Sequence, residues 1–93
     1  MRGGHQMKKT LNIKLPLKIG ELLSDNAMLN SNDITHLLEV RHQVKHTQEL
    51  DTPTAQWSFK IDGNLHRTLK FEALEQGINL NEYTGRIITT IMN

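Results

Sequence analysis

The stretch that decides the fold runs from Gln56 to Met92, QWSFKIDGNLHRTLKFEALEQGINLNEYTGRIITTIM. In Trp57-Ser58-Phe59-Lys60-Ile61 apolar and polar residues alternate, the period of a strand with one buried face. Trp57, Phe59 and Ile61 share one side; Gln56, Ser58 and Lys60 share the other. Asp62 stands where a helix N-cap belongs, and Gly63 and Asn64 ease the turn. From Asn64 to Gln76, Leu65, Leu69 and Ala73 recur every four residues, with Phe71 and Leu74 widening the apolar stripe. Gly77 fits a helix C′ position. Asn79 with Glu82 makes a capping-box-like start for a second helix. That helix carries Leu80, Tyr83, Ile87 and Ile91 on one face, with Ile88 and Met92 beside it. The expected order is strand, helix, helix, with Trp57, Phe59, Ile61, Leu69, Leu74, Ile87 and Ile91 as the core.

Leu65-His66-Arg67-Thr68-Leu69-Lys70, then Ala73, Gly77 and Asn79-Leu80-Asn81-Glu82-Tyr83, sit in this order behind the strand. The arrangement resembles the ribbon-helix-helix family of DNA-binding proteins, the Arc/MetJ kind, and in particular the C-terminal segment of HicB-type antitoxins. An ordinary αα-hairpin after an extended segment is the alternative. The resemblance covers somewhat over a third of the chain. It implies a mainly α fold with short β, intertwined through a two-stranded antiparallel ribbon. The longer multi-stranded domain that such antitoxins usually carry ahead of this segment is not visible, which puts a toxin-neutralising role in doubt.

Ninety-three residues of ordinary apolar content allow one small domain or two very small ones. No apolar run approaches the roughly 18 residues of a membrane span, and no secretory signal stands out. With no cysteine, neither disulfides nor thiolate-bound zinc can hold the fold. A cytoplasmic location is expected. The net charge of +1 hides an uneven distribution. Residues 1–20 carry Arg2, Lys8, Lys9, Lys14 and Lys18 without an acid. Residues 21–55 set Arg41 and Lys45 against Glu21, Asp25, Asp33, Glu39, Glu49 and Asp51, and residues 56–93 balance. A basic N-terminal third suits a polyanion, or is simply a solvated arm. Residues 1–9 are expected as a basic flexible arm. Met7-Lys8-Lys9 looks like a natural start, which would make Met1 to Gln6 an appended remnant.

Residues 10–46 form a second strand-helix-helix-like unit. Leu11, Ile13 and Leu15 alternate with Thr10, Asn12 and Lys14. Pro16 closes that strand and suits the first turn of a helix over Leu17 to Ala27, which carries Ile19, Leu22 and Leu23 and is weakened by Gly20. Asn30 or Ser31 caps a further helix with Asp33 in its first turn and Ile34, Leu37, Leu38, Arg41 and Val44 along it. His36, His42 and His46 read as surface residues and not as metal ligands. Residues 47–55 are polar with a proline and predict a linker before the unit at 56–93. The order strand, helix, helix thus occurs twice. A tandem of two ribbon-helix-helix pseudo-repeats is one reading, and an N-terminal half that holds a partner protein is the other.

A lone two-stranded ribbon is marginal in water, so a strand of this kind needs a partner from a second chain or from the other half. A homodimer is expected. The polar ribbon face fits the DNA major groove, where lysine donates to guanine, glutamine pairs with adenine and serine contacts either. The residue types permit base contacts from Gln56, Ser58 and Lys60, matched on the first strand by Thr10, Asn12 and Lys14. Phosphate contacts are expected at Asn79, Leu80 and Asn81, where a helix N-terminus attracts an anion, and from Lys8 and Lys9. No nucleophile and base stand at a recognisable spacing, and no phosphate loop or metal motif occurs; no enzymatic activity, cofactor or metal is expected. The expected function is a sequence-specific repressor that binds double-stranded DNA. By resemblance it autoregulates a toxin–antitoxin or mobile-element operon. The alternative is an antitoxin or interaction module whose N-terminal half neutralises a toxin while the C-terminal fold dimerises.

Overall fold

Two strands, β1 (Lys8–Pro16) and β2 (Thr54–Asp62), pair antiparallel within one chain, in a computed structural model that describes residues 7–93. Four helices surround them: α1 (Leu17–Asp25), α2 (Ser31–Glu39), α3 (Gly63–Gln76) and α4 (Leu80–Met92), with a 3₁₀ turn at Arg41–Gln43. The chain therefore has a mixed α and β fold, with a two-stranded sheet and four helices. Among the described residues no helix is long and apolar enough to cross a membrane.

The ladder places Thr10 opposite Lys60, Asn12 opposite Ser58 and Lys14 opposite Gln56. Asn12 and Ser58 are 46 residues apart. Moving every residue 46 places along turns the 10/60 pair into 56/14 and leaves 12/58 in place, so the register maps onto itself about that central pair. The same shift relates the ends of the ribbon. Leu17 N–H donates to the Pro53 carbonyl at 3.1 Å, and Gly63 N–H donates to the Met7 carbonyl at 2.8 Å. Helices α1 and α3 start at these two donors.

Alternation along both strands builds the core. Leu11, Ile13 and Leu15 are fully buried, as is Ile61, with Phe59 nearly so. Over them lie Ile19, Leu23, Ile34, Leu38, Leu69, Ala73, Ile87 and Ile88. Helix α4 packs chiefly on β1, and α2 reaches β2, so the second helix of each half covers the strand of the other. Gly85 makes the first approach possible: a Cβ there would lie 1.7 Å from the Lys14 carbonyl oxygen. Gly20, expected to weaken α1, instead leaves room for the Trp57 ring, which a Cβ would meet at 2.4 Å.

Several expectations are corrected. Leu74 and Phe71 are 66% and 62% exposed and do not join the core. Leu69 and Ala73 set the buried line of α3; Phe71 lies about 200° round the helix from Leu69, and Leu74 about 100° from Ala73. Trp57 and Ile91 pack against the core without being fully buried. Helix α1 ends at Asp25, two residues short of Ala27, and α2 ends at Glu39, so Arg41 and Val44 lie beyond it. The arm expected over residues 1–9 is strand from Lys8 onward, while Met1 to Gln6 fall outside the described residues. Thr54 and Ala55, expected in the linker, belong to β2. Asp62 caps α3, accepting from Asn64 and Leu65 N–H, and Gly77 ends it at φ 70°. Asn79 caps α4 without a side-chain bond, and Glu82 pairs with Arg86 instead of closing a capping box.

A polar clasp joins the halves. Arg41 donates from Nε and Nη2 to both Glu72 oxygens at 2.7 and 2.9 Å and from Nη1 to the Leu38 carbonyl. Tyr83 donates its hydroxyl to Glu72 at 2.6 Å. Hydrogen bonding to Arg41 holds the Glu72 carboxyl below the usual range, and burial together with the Glu72 carboxylate raises the Tyr83 phenol. A carboxyl with a lowered folded-state pKa stabilises the fold above its unfolded pKa and loses that contribution as the pH falls through its folded one.

Gly85→Ala is expected to cost about 3 kcal/mol or more, because α4 must retreat from β1; Gly77→Ala should cost about 1 kcal/mol through its left-handed backbone. Urea midpoints compare them, and equal losses would place α4 away from the β1 backbone. Glu72→Gln should cost about 1–2 kcal/mol at neutral pH, since the clasp is partly exposed. Its deficit against the parent should shrink once the pH drops below about 4.3; a deficit that persists unchanged in acid would rule out the charged pair as its source.

Candidate nucleic-acid interface

The polar positions of the two strands converge on one side of the ribbon. Thr10, Asn12, Gln56, Ser58 and Lys60 are exposed, and Lys14 is half-exposed. By register they form three cross-strand rows: Thr10 with Lys60, Asn12 with Ser58, and Lys14 with Gln56. All six residues expected to contact bases therefore share one face. Within it, Ser58 donates its hydroxyl to Asn12 Oδ1 at 2.6 Å, which leaves the Asn12 amide NH₂ as a donor. Within these three rows the two lysines stand at opposite ends and an uncharged pair fills the centre.

Helix N-termini flank both ends. At the Lys14/Gln56 end, Asn81 in the first turn of α4 donates from Nδ2 to Gln56 Oε1 at 2.7 Å. Leu80 and Asn81 line a depression of about 290 Å³ with Thr10, Asn12, Gln56 and His66. The expected phosphate-contact residues Leu80 and Asn81 thus border the polar face, and Asn79 precedes them as the N-cap. The first N–H groups of a helix lack intrahelical acceptors and favour an anion.

At the Lys60/Thr10 end, the Lys60 N–H donates to Ser31 Oγ at 3.3 Å. Ser31 opens α2, whose N-cap Asn30 accepts from Asp33 N–H at 2.9 Å. The N-terminus of α2 is thus the counterpart of that of α4, a placement the sequence reading did not assign. The cap signal at Asn30 and Ser31 was legible; its position beside Lys60 depends on the strand register.

The structure separates the other two expected cations. Lys8 shares the alternation of Thr10 and Asn12 and stands opposite Asp62. Lys9 falls on the other side of the strand, where it lines a depression with His66, Arg67 and Lys70 at the start of α3. His36, His42 and His46 are exposed, as expected.

Compared with protein-family models, curated proteins and solved structures, the chain matches none of them.

The two sides of β2 should respond differently to truncation. Phe59→Ala is expected to cost roughly 3–5 kcal/mol of stability, and Ser58→Ala no more than about 0.5 kcal/mol. Thermal or urea unfolding of both variants measures this, and comparable losses would mean the faces are reversed.

Proposed function

We propose that the chain is a sequence-specific DNA-binding repressor of tandem ribbon-helix-helix type, inserting the β1–β2 ribbon into the major groove. The observation that carries this reading is the single exposed face of Thr10, Asn12, Lys14, Gln56, Ser58 and Lys60, flanked at its ends by the N-termini of α2 and α4. A two-stranded ribbon has the width of the major groove. Its six side chains are donors or mixed donor–acceptors, suited to base edges, and the flanking amides suit phosphates. The resemblance of the α3–α4 segment to ribbon-helix-helix proteins supports the same reading. The expected homodimer rested on an open strand. Pairing within the chain supplies that partner, and in this proposal one chain carries the complete two-stranded reader. Autoregulation of a toxin–antitoxin or mobile-element operon is the role the resemblance suggests.

A second reading, an interaction module whose N-terminal half masks a toxin, draws support from the exposed apolar side chains of Leu17 and Leu22 on α1. A gel shift with the DNA upstream of its own gene, run at several salt concentrations, separates the two.

Lys60→Ala should weaken binding to cognate DNA by roughly 1–3 kcal/mol and relax preference at one position. Replacing Lys8, which shares the polar side of the ribbon, should lower affinity for every sequence and flatten the salt slope, while replacing Lys9, on the other side, should do so less. Titrations on cognate and scrambled duplexes measure both. A folded Lys60→Ala protein that binds as tightly as the parent would remove β2 from the reader.

A further inference from the structure

We propose that the ribbon selects a non-palindromic duplex site, with Gln56 and Thr10 specifying different bases at its two ends; the inference rests on the DNA-reading role proposed above. A two-fold-symmetric reader made of identical chains presents the same side chains to both halves of its site and so favours a palindrome. Here the ladder has that symmetry in its register, centred on Asn12 and Ser58, but not in its side chains. The shift of 46 residues pairs Lys14 with Lys60, an identity, but Thr10 with Gln56 and Asn12 with Ser58. Because both strands belong to one chain, the inequivalence is fixed in every molecule.

The chemistry of each end follows. A lysine at either end supplies a donor for guanine O6 and N7. Beside Lys14, Gln56 is held by Asn81 through its Oε1, which leaves its amide NH₂ for an acceptor such as adenine N7. Its oxygen retains a second lone pair for the adenine amino group. Beside Lys60, Thr10 offers a short hydroxyl and a methyl group, which suits contact with a thymine methyl and cannot make the bidentate adenine pair. At the centre, Ser58 occupies Asn12 Oδ1, so the free amide donor lies on the β1 side alone.

The test is selection of bound duplexes from a random-sequence library with the full chain, followed by the same selection with Thr10→Gln. Thr10 is exposed on the strand, so the substitution leaves the core untouched. The expected core carries guanine toward both ends but adenine at one end alone. Thr10→Gln should bring adenine to the other end and raise affinity for a duplex with symmetric ends about tenfold over the parent. A palindromic core from the parent chain, or a Thr10→Gln selection identical to it, would overturn the asymmetry while leaving DNA reading intact. Selection that enriches no core sequence would overturn the DNA-reading role itself, and the asymmetry with it.

Discussion

A strand that pairs with nothing leaves a row of backbone donors and acceptors unsatisfied and one apolar face open. Every other feature of this chain follows from how β1 and β2 meet that need in each other. Their partners are far apart in sequence, so the pairing requires closure of the whole segment between Pro16 and Thr54. The helices repay that cost by burying the inner face. They do so crosswise, α4 over β1 and α2 over β2. The two halves contribute to one shared core.

The crossed packing also orients the polar side. Glu72 on α3 is the meeting point of Arg41, just beyond α2, and Tyr83 on α4. The guanidinium keeps the carboxylate charged, and the carboxylate in turn favours the protonated phenol, so each member stabilises the hydrogen-bonding state the others need. Tyr83 is one turn from the start of α4, whose Asn81 reaches Gln56. The clasp thus ties α4, the helix that borders the ribbon face, to α3 and to the segment just beyond α2.

Most of the strand and helix pattern was legible because it is local. Period-two alternation located both strands and divided Thr10, Asn12, Lys14, Gln56, Ser58 and Lys60 from the core, and Asp62 and Gly77 marked the limits of α3. What required the fold was non-local. A stripe on a helical wheel shows that Leu69 and Leu74 are apolar, not which line of α3 faces the ribbon; Glu72 faces its clasp partners, while Leu74 turns outward. The roles of Gly20 and Gly85 depend on a ring and a carbonyl contributed by distant strands. The α2 N-terminus gained its place beside Lys60 from the register, which no single segment encodes.

Joining two equivalent strands in one chain changes what each side chain can do independently. In a symmetric dimer one substitution appears twice and alters both ends of the ribbon together. Here Thr10 and Gln56 occupy related positions but are separate residues, and either can change while the other stays. The core shows the same independence. Leu11 on β1 corresponds to Trp57 on β2, and the larger ring is accommodated by a glycine on α1, where the corresponding α3 position is His66. Volume added on one side of the pseudo-axis is thus removed locally, without a matching change on the other. Because buried and exposed residues alternate along each strand, such repacking beneath the ribbon leaves the outer face in register. The backbone symmetry that pairing requires is therefore compatible with two inner surfaces and two outer ends that differ.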